Sequence, residues 1–290
     1  MADVIGHVSD TAFGVAYYRA QESKRTDALF RDPFAGILVG DRGRRVASAM
    51  PLPSVGRQII VLRTCIIDDF IRFAIAQGTD TVLNLGAGLD TRPYRMELPG
   101  SVLWVEADYA HVIEFKEQRL AAEKPSCRLK RVKLDLADLL ERRKLFADTR
   151  ARAKNLLVVT EGVLPYLSAE EVGSLADDLK TTAHARYWIA EYISPQAMAF
   201  RKRRRMDRKM QNAPFKFTPR DWFGFFAEHG WRAKEVRYLG EEADRLKRPL
   251  RLPLLLRLTV GIQGLVVSRE GRAIFKRFQA YTLFEPRDSV

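Results

Sequence analysis

The sequence predicts an α/β fold built on a mostly parallel sheet covered on both faces, and two observations carry that expectation. Short β-branched and aromatic runs alternate with longer segments of helical period, and a glycine turn joins the first run to the next helix. The expected strands are Thr81–Leu85 (TVLNL), Val102–Glu106 (VLWVE), Leu129–Leu134, Leu156–Thr160 (LLVVT) and Tyr187–Tyr192 (YWIAEY). Helical segments Ala110–Glu123 and Ala169–Thr182 lie between them, and the second opens with Ser168 and Glu171 at capping-box spacing. Parallel strands joined this way need crossovers, which place helices on both sheet faces.

Before the first strand, residues 11–78 read as helical, broken at Asp32-Pro33 and at Pro51/Pro53. From Gln58 to Ala76 the apolar residues Ile59, Leu62, Ile66, Phe70 and Phe73 form one stripe. After Tyr192 comes a basic segment, 196–211, centred on RKRRRMDRK. Thr218 is expected to cap a helix with Pro219 at its first position, running Asp221–His229 and ending at Gly230. A sixth strand is expected near Val236–Leu239, then an Arg/Leu-rich insertion over 240–263 and a last strand at Gly264–Arg269 (GLVVSR). With no internal repeat or low-complexity linker, residues 1–290 are expected to form one domain. Its parts are a helical cap (1–78), a core (79–192), basic helical insertions with the sixth strand (193–263), and the last strand and tail (264–290).

The 290 residues carry 49 basic and 36 acidic side chains, a net +13. Residues 1–194 hold 27 basic and 26 acidic groups, whereas 195–290 hold 22 and 10, so the excess belongs to the last third. Such a region suits nucleic acid, an anionic lipid surface or an acidic small molecule. No RRM, KH or zinc-knuckle signature favours nucleic acid. Cys65 and Cys127 make no disulfide framework or CxxC pair, which fits a reducing, cytoplasmic setting. The four histidines show no metal-ligand spacing, so no metal is expected. The apolar run Leu252–Val267 is broken by Pro253, Arg257, Gly261, Gln263 and Gly264, which excludes a membrane span there. The first residues lack the basic-then-apolar pattern of a signal peptide.

The chemistry concentrates where strand runs into turn, at TVLNLGAGLDTR (81–92). Gly86 and Gly88 let the backbone bend and approach a ligand closely. Position 91, where a dinucleotide fingerprint has its third glycine, is Thr91. Glu106 and Asp108 follow Gly86 and Gly88 by 20 residues at the end of the next strand, placed to accept from ribose hydroxyls. Asp135-Leu136 ends the third strand, suited to an adenine, and Glu161 ends the fourth. Arg92 and Arg95 open the helix after the turn, either pairing across it or touching substrate. Dinucleotides and S-adenosylmethionine (SAM) both fit this pattern. Carboxylates at successive strand ends suit a sulfonium and an ammonium better than a bisphosphate, and no GxxxxGK[ST] occurs.

The blocks NLGAGLDTRPYR (84–95), WVEADYAHVIEFK (104–116) and TEGVLPYLSAEEV (160–172) closely resemble the SAM-dependent carboxyl methyltransferases. That family joins leucine carboxyl methyltransferases with tetracenomycin-type polyketide O-methyltransferases. Residues 11–36 and 61–71 resemble its N-terminal helical region. The resemblance implies a class I, Rossmann-like methyltransferase with a mostly parallel seven-stranded sheet, a helical cap and a helical insertion. It implies SAM as cofactor and S-adenosylhomocysteine (SAH) as product, with Arg63 at the SAM carboxylate and Gly86 and Gly88 in the turn holding the methionine moiety. It further implies Asp108 at the ribose, Asp135 and Leu136 at the adenine, and Glu161 at the methionine end. Where the family usually carries a proline after this aspartate, Ala110 stands.

A sulfonium methyl is already activated, so the enzyme mainly aligns an acceptor oxygen and excludes water. A carboxylate is ionised at neutral pH and needs no base, whereas a phenol usually wants one. No histidine falls in a matched block. The expected activity is O-methylation of a carboxylate or phenolic oxygen on a small acidic metabolite, with Tyr94, Arg95 and Tyr166 as acceptor-positioning candidates. The competing readings are an RNA or protein methyltransferase with the basic third as its platform, and a non-catalytic SAM-binding module.

Overall fold

The computed structural model describes residues 7–50, 53–203, 214–250 and 269–287. Seven strands form one sheet in the order β3-β2-β1-β4-β5-β7-β6. They are β1 (Thr81–Leu85), β2 (Leu103–Asp108), β3 (Arg128–Lys133), β4 (Leu156–Thr160), β5 (Tyr187–Ile193), β6 (Trp231–Tyr238) and β7 (Gln279–Pro286). The first five run parallel, and β7 enters antiparallel between β5 and β6. The order reverses at β1, which pairs with both β2 and β4, and ligands of such sheets sit outside the strand C-termini at that switch.

The alternation of side chains along each strand builds two cores. Val82, Trp104, Val159 and Ile189 face one side with Leu62, Ile66 and Phe70 of α3 (Pro53–Ala76). The stripe read from the sequence is thus the face α3 lays on the sheet. Leu83, Val105, Val158 and Trp188 face the other side. Covering them are α6 (Leu139–Arg150), α7 (Ala169–Thr181) and α9 (Trp222–Glu228). Ser168 caps α7 by accepting from Glu171 N at 3.2 Å while Glu171 Oε2 accepts from Ser168 N at 2.6 Å, the reciprocal pair expected from the sequence. Two buried indoles are bonded: Trp188 Nε1 donates to Thr160 Oγ1 at 2.9 Å and Trp231 Nε1 to Ala176 O at 3.0 Å, whereas Trp104 Nε1 has no hydrogen-bond partner.

The cap consists of α1 (Thr11–Ser23), α2 (Pro33–Ala49) and the start of α3. Asp32 begins α2, accepting from Ala35 N at 2.9 Å with Pro33 at the first position. The same carboxylate accepts from Arg19 Nε (2.8 Å) and Thr91 Oγ1 (2.7 Å), which fastens the cap to the turn after β1. Single-turn α4 (Arg92–Arg95) follows that turn, and α5 (Ala110–Arg119) follows β2.

The C-terminal third departs from expectation in three places. The helix there is capped by Asp221, whose Oδ1 accepts from Gly224 N at 2.9 Å, not by Thr218. Lys216 N and Phe217 N donate to Pro165 O, and Phe217 is buried beside Phe226, so this stretch stays extended until Asp221. The sixth strand spans Trp231–Tyr238, and Leu239 starts α10 (Leu239–Arg245). The last strand is Gln279–Pro286, within the stretch expected as tail, because Ala280, Tyr281, Leu283 and Phe284 bury to both faces between β5 and β6. Of the expected strand at 264–269 only Arg269 lies within the described residues, and it begins α11 (Arg269–Lys276). The basic run is described only at its start, on α8 (Pro195–Arg203), and the Arg/Leu insertion only as far as residue 250.

Under β2, Lys116 Nζ meets Glu106 Oε1 at 2.7 Å with both side chains fully buried, and Arg131 Nε lies 3.0 Å from Glu106 Oε2. Lys116→Met leaves Glu106 with Arg131 alone. The expected cost is about 3 kcal/mol, the low end for a broken buried pair, read from urea unfolding.

Candidate active site

At the carboxyl edge of the sheet the chain makes two turns that press together. After β1, Gly86 and Gly88 take left-handed φ of 63° and 47°. A Cβ on Gly86 would stand 2.6 Å from Val163 Cγ2 in the turn after β4, so a side chain there meets both strain and collision. Asp108 at the end of β2 closes the arrangement. Its Oδ2 accepts from Gly88 N at 2.6 Å and its Oδ1 from Tyr109 N at 2.7 Å. Burial raises the Asp108 carboxyl above its ordinary range, opposed by these two backbone donors.

These groups line a cavity of about 380 Å³ between the sheet edge and the cap, within the size of small-ligand sites. Arg63, Gly86, Gly88, Asp108, Asp135, Leu136, Glu161 and Tyr166 all line it. Asp135 Oδ1 accepts from Ala137 N at 3.0 Å. Tyr166 packs edge-on against Phe215 at 5.3 Å, and burial raises its hydroxyl. Three residues from the sequence reading lie elsewhere. Glu106 is buried against Lys116 and Arg131, leaving Asp108 as the carboxylate of β2 that faces the cavity. Tyr94 Oη accepts from Arg131 at 2.7 Å, and Arg95 forks onto Asp68 with two bonds of 2.7 Å; neither lines the cavity. Single-turn α4 directs Arg95 onto α3, where the buried Asp68 holds it. A more open depression of about 470 Å³, walled by Arg143, Asp177 and His229, lies on the outer faces of α6, α7 and α9 and holds none of the strand-end residues.

A network of ion pairs forms the cavity floor and the layer behind it. Glu161 faces two arginines, Arg63 Nε at 2.8 Å and Arg92 Nη1 at 2.7 Å. The Arg63 contact is close but not aligned as a hydrogen bond, so this buried Nε has no hydrogen-bond partner. Arg92, 2% exposed, also holds Asp90 at 2.8 Å and Asp68 at 2.7 Å. Burial opposes ionisation of Asp90 and Glu161, yet the adjacent arginines hold both carboxyls below their ordinary range. Asn84 Nδ2 donates to Asp90 Oδ2 at 2.9 Å and also faces the cavity.

Sequence reasoning missed the cavity's other wall. Thr11, Ala12 and Val15 of α1, Val55, Ile59 and Ile60 of α3, and Gln279 of β7 all contribute. Helical periodicity marks a buried face without saying what that face meets. Gln279 had no signal, since its strand was expected elsewhere.

Glu191 of β5 lies in the same charged neighbourhood. Burial pushes its carboxyl from an ordinary 4.5 to about 7, opposed by the backbone donors and Arg63 and reinforced by Glu161. Its Oε2 accepts from Gly162 N at 3.2 Å, and its buried Oε1 has no hydrogen-bond partner. The folded chain therefore keeps a proton that the unfolded chain releases across this window. Stability falls as pH rises from 4.5 through 7, by up to ~1.4 kcal/mol per pH unit. Glu191→Gln should unfold like the wild type at pH 4.5 and resist urea better than it above pH 7. Gly86→Ala should lower the unfolding free energy by about 1–3 kcal/mol in the same assay.

Comparison with known proteins gives this arrangement its context. A family model described as leucine carboxyl methyltransferase matches residues 12–180, a span that holds the glycine turn, Arg63, Asp108, Asp135 and Glu161. A relative from Mycobacteroides abscessus, provisionally named an S-adenosyl-L-methionine-dependent methyltransferase, is 31% identical over 287 residues, covering 86% of this chain and 91% of its own. One of the same name from Frankia alni is 31% identical over 272 residues, covering 87% and 94%. Among solved structures, a DUF574 family protein from Streptomyces avermitilis superposes with TM-score 0.56 at 14% identity, covering 93% of this chain and 96% of that one. A provisionally named methyltransferase from Thermobifida fusca gives 0.55 at 14%, covering 99% and 97%. The structural likenesses show the fold; the sequence matches show the kinship. The chain belongs to the leucine carboxyl methyltransferase family and is a SAM-dependent methyltransferase.

Proposed function

We propose that this enzyme methylates an oxygen that arrives already ionised, a carboxylate of a small acidic metabolite. One observation carries the reading. Among the described residues, no histidine lines the cavity and every carboxylate lining it is engaged. Asp90 is held by Arg92 and Asn84, Asp108 by two backbone N–H groups, Asp135 by Ala137 N and Glu161 by two arginines. Burial raises Tyr109 and Tyr166, keeping both hydroxyls protonated. Glu191, pushed up to about 7, is not among the residues lining the cavity. With no lining group poised to take a proton at neutral pH, an acceptor that needs deprotonation is poorly served, and a carboxylate is not.

The residues present fit SAM. Gly86 and Gly88 line the cavity without side chains, which leaves their backbone open to close approach by a ligand. Asp108 keeps lone pairs beyond its two backbone bonds, for ribose hydroxyls. Asp135 and Leu136 would flank the adenine end. Arg63, with its unsatisfied Nε, and Glu161 would hold the carboxylate and ammonium of the amino-acid end. When bound, SAM supplies a methyl on positive sulfur, already activated for transfer. The chain then has to orient the acceptor oxygen and exclude water, and Val15, Val55, Ile59 and Ile60 make that side of the cavity apolar.

The charge of the C-terminal third also supports a small acceptor over an RNA or protein one. Several of its described cations are spent within the fold: Arg232 and Lys234 on Glu285, Arg237 on Asp69 and Glu235, Arg248 on Asp27, and Arg277 on Glu241. A backbone-tracking surface needs unpaired cations in a row. No described helix is long and apolar enough to cross a membrane.

Calorimetry should show SAM binding that Asp108→Ala weakens about tenfold or more, since hydrogen bonds to a charged group contribute about 1.5–3 kcal/mol. Methyl-labelled SAM incubated with enzyme and metabolite extract should yield a small labelled product that mild base releases. A base-stable label would refute the carboxylate acceptor, and absence of SAM binding would refute the whole reading.

A further inference from the structure

Among the described residues of α3, those that line the cavity ahead of Arg63 are Val55, Gly56, Ile59 and Ile60, none with a polar side chain. Gly56, Ile59, Ile60 and Arg63 stand at i, i+3, i+4 and i+7, which is one face of a helix. That face runs about 10 Å along the axis from Gly56 to Arg63, at 1.5 Å per residue. It is apolar in depth as well. Ile60 clusters with Tyr18 and Ala47, and Val15 and Met50, which also line the cavity, pack against that cluster. The one hydroxyl among Tyr18, Ala47 and Ile60 is already engaged, since Tyr18 Oη donates to Ala47 O at 2.8 Å. Glycine is a poor helix former, and at Gly56 it opens a gap in an otherwise aliphatic stripe, leaving helix backbone at the cavity surface.

We propose that the acceptor is a monocarboxylic acid with an apolar body, that this body lies along the α3 stripe, and that Gly56 sets how long a body fits. The inference rests on the acceptor reading above and adds what carries the carboxylate. The strand-end carboxylates and Arg63 suit the polar groups of the cofactor, which leaves the aliphatic face of the cap for the acceptor. Two consequences follow from the chemistry of that face. Each methylene laid against it leaves water, so affinity rises with chain length. A second charge on the acceptor would stand against Val55, Ile59 and Ile60 with no polar side chain of the stripe to pair it, which is costly. A side chain at position 56 would project from the same helix face as Ile59 and Ile60 and occupy the space the acid's far end needs.

The test is calorimetry on the full chain saturated with SAH, titrated with butyrate, octanoate and suberate, the last as long as octanoate but charged at both ends. Wild type should bind octanoate about tenfold or more tightly than butyrate, since each buried methylene contributes up to about fourfold. Suberate should bind about tenfold or more weakly than octanoate, because its second charge is left unpaired. Gly56→Leu should cut octanoate affinity about tenfold while butyrate and SAH stay within about threefold. Gly56→Ala should weaken octanoate about threefold with resistance to urea equal to the wild type's or better, so that the loss is one of space and not of folding. Equal binding of butyrate and octanoate, suberate as tight as octanoate, or octanoate affinity untouched by Gly56→Leu overturns the inference. SAH binding without any response to chain length sinks this inference alone, whereas failure to bind SAH removes the acceptor reading with it.

Discussion

A buried arginine, Arg92, ties the helix on one sheet face to two turns at the carboxyl edge of the sheet. Its guanidinium takes Asp68 from the helix on one sheet face, Asp90 from the glycine turn and Glu161 from the end of β4. Arg95 shares Asp68 and approaches Asp32, and Asp32 joins Arg19 to the start of α2. The network holds Arg19, Arg63, Arg92 and Arg95 against Asp32, Asp68, Asp90 and Glu161, so its formal charges cancel. Isolated buried ions are costly, and removing one member of such a set strands the others. The network therefore behaves as one unit, and the turns that shape the cavity are held by it.

Glu191 shows the same rule from the other side. It is a fifth carboxylate beside a set already balanced, and its carboxyl is pushed up to about 7. A further carboxylate beside this balanced set ionises only as the pH reaches neutral, well above its ordinary range. The cap side of the cavity works differently, with the apolar Val15, Val55, Ile59 and Ile60 along it.

How much was readable in the sequence depends on how local the signal was. The five parallel strands, the stripe of α3 and the Ser168–Glu171 box were all visible, because period and cap spacing are properties of neighbouring residues. The last strand was not, because Gln279–Pro286 is buried on both faces and shows no clean alternation against its antiparallel neighbours. Thr218 was an acceptable cap on local grounds, yet Pro165 O and the buried Phe217 kept the chain extended past it. Tyr94 and Arg95 stand beside the motif in sequence, but α4 turns them onto Arg131 and Asp68.

By itself the sequence determined the five parallel strands, the glycine turn, the carboxylates at successive strand ends and, through its motifs, the family. Those features depend on residues within a turn or a strand of each other. Only the tertiary structure decided which charges are spent. Glu161 and Arg63 face each other across 98 positions of chain, and several described cations of the basic third, Arg237 and Arg248 among them, pair with carboxylates far away in sequence. Coulomb energy depends on distance in space and on burial, and neither can be read along the chain.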